Sequence, residues 1–155
     1  MKESFWLFGT HLTILAGHAD TDGRYDLVEG DFAPGVETPV HRHFTYAEQL
    51  YVLAGEFTVR TEAGTVVLTP GQSHFIPQGM VHSVAATSAS PARGLVVASP
   101  SGFAHLIQTV GTVSDGRDTP AASQSDMAAF MRVSAEIGEE ILGPPGAPIQ
   151  VAAAS

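Results

Sequence analysis

From Glu48 to Ala54 the chain alternates with a period of two, setting Glu48, Leu50, Val52 and Ala54 on one face of a strand and Gln49, Tyr51 and Leu53 on the other. Gly55 turns it into a second strand, Phe57 to Arg60, and Glu62-Ala63-Gly64 turns it again into Thr65 to Thr69. Pro70-Gly71 and Pro77-Gln78-Gly79 bracket a short strand, Ser73 to Ile76, and Val81 to Ala85 follows. Leu95 to Ala98 is an unbroken apolar run, the pattern of a buried strand. Short strands separated by turn residues predict an all-β fold, an antiparallel sandwich or barrel.

The flanks read differently. Phe5 to Phe8, Leu12 to Ala16 and Tyr25 to Phe32 are further short strands, and the first two suit an arm that pairs with a partner subunit. Phe103 to Thr109 has helical spacing of Phe103, Leu106, Ile107 and Val110. Thr112 to Gln124 turns to Ser, Thr, Asp, Gly, Pro and Ala, a loop composition. Ser123 or Ser125 is placed to cap a helix whose stripe is Met127, Phe130, Met131, Ser134 and Ile137, closed by Gly138, and the tail from Ile141 reads as extended. The expected organisation is an N-terminal arm over residues 1–30, a barrel core over 31–100, and a C-terminal helical extension and tail over 101–155.

Composition narrows the partners. Of 155 residues, 44% are hydrophobic and 15% charged, a profile for one packed core with further surface buried in a homodimer. Sixteen acidic against seven basic residues give a net charge of −9, and the arginines are scattered, so a phosphate backbone would be repelled and nucleic acid is excluded as a partner. The apolar run Phe5 to Phe8 is too short for a secretory leader or a membrane span, and a soluble, cytoplasmic protein is expected. With no cysteine, disulfides, thiolate catalysis and Cys-ligated zinc are all removed, leaving imidazole and carboxylate as metal ligands.

Those two ligand types cluster. His41 and His43, two apart, project from the same face of a strand; Glu48 opens the next strand; and His82 follows the Pro77 and Gly79 turn. Three imidazoles and a carboxylate are a set that one divalent transition metal accepts, whether Fe, Mn, Ni, Co, Cu or Zn. His11, His18 and His105 lack such spacing and read as structural or exposed.

Gly35-Val-Glu-Thr-Pro-Val-His41-Arg-His43-Phe-Thr-Tyr-Ala-Glu48-Gln-Leu-Tyr-Val-Leu-Ala-Gly55 resembles the first motif of the cupins, and Gly71-Gln-Ser-His-Phe-Ile-Pro77-Gln-Gly79-Met-Val-His82 their second. Ala86 stands where the second motif usually closes with Asn, and Gln72 where an acidic residue often follows the glycine; neither is a ligand position. The resemblance implies a double-stranded β-helix, or jelly-roll, barrel with short C-terminal helices and a metal held by His41, His43, Glu48 and His82. Ser99-Pro100-Ser101-Gly102-Phe103 and Glu140-Ile141-Leu142-Gly143-Pro144-Pro145 are similar to segments of small single-domain bacterial cupins grouped with quercetinase-like dioxygenases.

The residues around the motifs give the expected pocket. Leu50 and Val52 share the Glu48 face, neighbouring strands add Phe57, Phe75, Ile76 and Val84, Phe44 and Tyr46 sit in the bend between ligands, and His74 enters the second motif with the parity of Ile76. Such a pocket suits an apolar or aromatic small molecule. The quercetinase-like resemblance implies a dioxygenase that cleaves an enolic, flavonol-like substrate with O2, with Glu48 free to take the substrate proton. Two alternatives stand beside it: a non-oxidative metal-dependent isomerase or lyase, and a cupin that binds a small molecule without catalysis.

Overall fold

The structure is a computed structural model that describes residues 2–116 and 126–151. Its strands are β1 (Glu3–Leu7), β2 (Thr10–Ala16), β3 (Asp26–Phe32), β4 (Val40–His43), β5 (Ala47–Ala54), β6 (Phe57–Thr61), β7 (Gly64–Leu68), β8 (Ser73–Ile76), β9 (His82–Ala86), β10 (Ala92–Ser99), β11 (Thr112–Val113) and β12 (Glu139–Gly143). Three helices accompany them: α1 (His18–Thr21), α2 (Phe103–Val110) and α3 (Met127–Glu136). The strands form two antiparallel sheets, ordered β11-β1-β2-β3-β10-β5-β8 and β12-β4-β9-β6-β7. This all-β, antiparallel architecture is what the strand pattern predicts, and it is the jelly-roll barrel with short helices that the cupin resemblance implies; no helix among the described residues is long and apolar enough to cross a membrane.

Alternation decides what faces inward. In β3 every second residue from Asp26 to Phe32 is buried, and in β5 Glu48, Leu50 and Val52 point in while Tyr51 stays exposed. The core divides into two clusters. One, from β3, β5, β6 and their neighbours, includes Phe32, Leu50, Val52, Phe57, Val59 and Val84; the other joins β1 and β2 to the helices through Phe5, Leu7, Leu12, Leu106, Ile107 and Phe130.

The second cluster shows how both flanks pack within the subunit. β1 and β2 pair with each other and β2 with β3, and Phe5 and Leu7 pack into the chain's own core, so this pair is already committed within the subunit. Thr112 and Val113 pair with β1, extending the sheet into a segment whose composition predicts loop; the rest of that segment from residue 117, with Ser123 and Ser125, lies outside the described residues. Asp126 caps α3, its Oδ1 accepting from the Ala129 amide at 3.0 Å. The buried face of α3 is Phe130, Val133 and Ser134, while Met127 and Met131 are exposed: the stripe is rotated toward Val133 because the helix docks on α2 and β12 at once. The tail forms a strand, β12, which pairs with β4.

One buried carboxylate ties the helical cap to the sheet. Asp26, at the start of β3 and fully buried, accepts hydrogen bonds from the amides of Gly102 at 2.7 Å and Ala104 at 3.0 Å, satisfying donors of the first turn of α2 across 76 residues of chain. Asp26→Ala leaves both amides without an acceptor and is expected to destabilise the fold by about 1–3 kcal/mol, read as a lower urea midpoint at unchanged m-value.

Candidate metal centre

β4 carries His41 and His43 at positions two apart, and the bend that follows is held by the C-terminal segment. The Phe44 amide donates to the Gly138 carbonyl at 2.8 Å, and the Thr45 hydroxyl donates to the Ile137 carbonyl. Gly138 has φ +77°, and a Cβ there would stand 2.5 Å from Thr45 Cγ2, so only glycine allows the α3–β12 junction to approach this closely. The other side of the bend is fixed by the Gly79 amide, which donates to the His43 carbonyl at 2.7 Å, and His82 lies opposite His41 in the β4–β9 register.

These constraints bring three imidazoles together. One ligand nitrogen from each of His41, His43 and His82 lies within 4.8 Å of the others, and all three rings are buried. His41 Nδ1–H donates to the Pro39 carbonyl at 2.7 Å and His82 Nδ1–H to the Met80 carbonyl at 2.8 Å. Since a carbonyl only accepts, each neutral ring carries its proton on Nδ1 and presents a bare Nε2. His82 Nε2 and both ring nitrogens of His43 are buried without a hydrogen-bond partner, a costly arrangement for a folded protein that a cation would relieve. Burial, followed by the charges of its two fellow histidines, pushes the His43 pKa down to about 2, and burial with His41 pushes His82 down to about 3. His43 and His82 are therefore neutral at pH 7, the form that ligates a metal. The donor set fits one ion.

Glu48 approaches from the opposite sheet. Its Oε1 is 3.4 Å from His43 Nε2 and its Oε2 is 3.9 Å from His82 Nε2. Burial and then the nearby Glu139 raise its pKa to about 8. Glu139, on β12 opposite His43 in register, is also buried and likewise shifted upward by burial; it accepts from the Tyr46 hydroxyl at 3.2 Å. Tyr46 lies flat against His43, ring centroids 4.2 Å apart and planes 11° apart. Glu139 was not anticipated from sequence, although Gly138 to Gly143 has the glycine-bounded pattern of a strand.

The imidazoles, Glu48, Tyr46 and Glu139 line one cavity of about 120 Å³, with Leu50 and Val84 on one wall and Leu7, Phe8, Leu12, Leu106 and Phe130 on another. Of the pocket residues expected from sequence, Tyr46, Leu50 and Val84 are on this wall. Val52 and Phe57 line a neighbouring void of about 40 Å³ that shares Leu50 and Val84 with this cavity, and Ile76 is packed in the same core cluster. Phe44 and Phe75 are 52% and 56% exposed: Phe44 lies under the Arg42 guanidinium at 4.6 Å, and Phe75 has the outward parity of its strand. His74 sits opposite Leu50 in the β5–β8 register, half-buried and off the cavity wall. The helical wall escaped the sequence reading because its residues are remote from both motifs.

Comparison with known proteins agrees with this geometry. The profile of the cupin domain family matches residues 28–98. Quercetin 2,3-dioxygenase of Bacillus subtilis (strain 168) is 28% identical over 113 residues, covering 72% of this chain and 33% of that protein, so the chain spans about a third of that relative's length. Among solved structures, the polyketide cyclase RemF of Streptomyces resistomycificus is 30% identical with a TM-score of 0.52, over 59% of this chain and 65% of that one. An RmlC-like cupin of Shewanella frigidimarina NCIMB 400 is 25% identical with a TM-score of 0.56, over 65% and 86% of the two chains. With both motifs in place, the three histidines converging as the motifs require, and profile and structures in accord, residues 28–98 of this chain are a cupin domain.

Proposed function

We propose that this protein is a metal-dependent dioxygenase acting on a small enolic or aromatic substrate, with one divalent transition metal held by His41, His43, Glu48 and His82. The observation that carries the reading is the set of bare, buried imidazole nitrogens facing a buried carboxylate at the wall of an apolar cavity. When bound, such an ion polarises an enolic oxygen and provides the electronic link to O2 that organic substrates lack. The chain supplies the remainder. Neutral histidines leave the positive charge of the site to the ion; Leu50, Val84 and Leu106 exclude bulk water; and Glu48 accepts the enol proton. A carboxylate that burial and Glu139 raise to about 8 would be lowered by an adjacent cation, which favours its ionised form and suits a base working near pH 7.

The cavity also bounds the substrate. At about 120 Å³ it is smaller than the roughly 300–1,000 Å³ of sites for drug-sized ligands, which favours a compact enol or a single ring over a full flavonol. The identity to a polyketide cyclase supports a second reading, in which the same residues move a proton without O2. An oxygen electrode separates the two: β-diketones and enediols are expected to drive oxygen uptake by the metal-loaded protein, with Glu48→Gln slowing it by about 10²–10⁴-fold. Product formed without oxygen would establish the second reading instead.

The ligand assignment has its own test. His82→Ala is expected to lower zinc or cobalt affinity by more than the ~10–100-fold that loss of an outer hydrogen-bond partner costs, measured by titration of the metal-free protein; full retention would refute the assignment.

The shifted groups also make stability depend on pH. His43 and His82, depressed from 6.5 to about 2 and about 3, contribute stability that is present above pH 6.5 and lost as pH falls through their folded values. Glu48, raised from 4.5 to about 8, contributes stability that is present below pH 4.5 and lost as pH rises through 8, and Glu139 acts in the same direction. Above pH 6.5 the carboxylates act alone. Urea denaturation of the metal-free protein is therefore expected to show stability declining from pH 6.5 to 8, a decline that Glu48→Gln reduces and saturating zinc abolishes.

A further inference from the structure

The wall formed by the N-terminal hairpin and the C-terminal helices holds an aromatic pair. Phe8 meets Phe130 of α3 edge-on, ring centroids 4.8 Å apart and planes 80° apart, and both rings line the cavity that holds the histidines. Phe8 occupies an unusual backbone position. Leu7 pairs with Thr10, which leaves Phe8-Gly9 as a two-residue hairpin turn with φ +47° and +82°. A turn with both central residues left-handed prefers Asn-Gly or Asp-Gly, because a bulky side chain is crowded by its own backbone there. Asp22 is the other described non-glycine residue at positive φ, and Asp is a residue that tolerates it. An aromatic residue maintained against this preference, with its ring on a cavity wall, marks a position where the side chain matters more than the turn.

The neighbours of the pair are apolar. Leu7, Leu12 and Leu106 share the wall, and the hydroxyl of Thr10 already donates to the Leu7 carbonyl at 2.6 Å, so its proton is not offered to a ligand. We propose that Phe8 and Phe130 form a stop that sets the length of the apolar group the cavity accepts. The substrate class is a compact enol or phenol bearing a short apolar substituent, its oxygen at the histidines and its substituent against this pair. The inference rests on the reading that His41, His43, Glu48 and His82 take the polar end.

Calorimetric titration with the 4-n-alkylphenols, from phenol to 4-n-octylphenol, tests it on metal-free and zinc-loaded protein. For the native sequence, affinity is expected to rise by about fourfold per methylene up to a break, beyond which it falls. Phe130→Leu, which keeps an apolar helix contact, and Phe8→Asn, which suits the turn, are each expected to move the break to longer chains. Val67→Ala, on the exposed surface of β7, is expected to leave it in place. A break unmoved in both variants, affinity that climbs without a break, or no binding of any member in either metal state would overturn the proposal. A shifted break without turnover of any enol would sustain the stop while removing the enzymatic reading; turnover with an unmoved break would do the reverse.

Discussion

Three imidazoles and one carboxylate are held out of water between two sheets, and each must be compensated where it sits. His41 and His82 give their Nδ1 protons to the carbonyls of Pro39 and Met80 within their own segments, so the second sheet satisfies half of each ring by itself. The Nε2 atoms of His43 and His82 face Glu48, which belongs to the first sheet. A cation in this space would join the sheets through their most costly buried groups, making their spacing part of its coordination. That explains the rigid surroundings: Gly79 pinned to His43, Phe44 to Gly138, and Tyr46 flat against the His43 ring with its hydroxyl on Glu139.

Much of this was legible in the sequence, because its chemistry is local. His41 and His43 share a face by strand parity, Glu48 opens the following strand, and the Pro77 and Gly79 turn delivers His82, each signal lying within a few residues of the group it places. What was not legible depends on pairing at long range. Glu139 reaches the site only because β12 lies beside β4, across nearly one hundred residues, and Asp26 caps a helix 76 residues away. Assigning both Phe75 and Ile76 to the pocket ran against strand parity, since neighbours on β8 must face opposite ways, and Phe75 is the one that alternates out. The stripe of α3 was misjudged for a different reason, since helical periodicity shows that a face exists but its packing partners decide which residues it contains.

The division between shared and particular features follows the chain. The family profile ends at residue 98 and begins at 28, and it contains every histidine of the cluster and Glu48. Leu7, Phe8 and Leu12 precede it, and Leu106, Phe130 and Glu139 follow it, yet all six line the same cavity. The three histidines and Glu48 thus lie within the segment the family profile matches, whereas Glu139 and much of the apolar wall come from the flanks outside it. Fold-level likeness therefore informs the chemistry available here more than the molecule on which it is used.

The late position of β12 in the sequence has a consequence for biosynthesis. A ribosome delivers β4 and the bend carrying His43 to Glu48 early, but β4 remains an open edge, with its outer amides and carbonyls unpaired, until residues 139–143 emerge. During that interval the nascent chain displays the imidazoles without the strand that seals them from water. The full set of buried groups around the imidazoles, Glu139 among them, is therefore complete only after the C-terminal strand has docked.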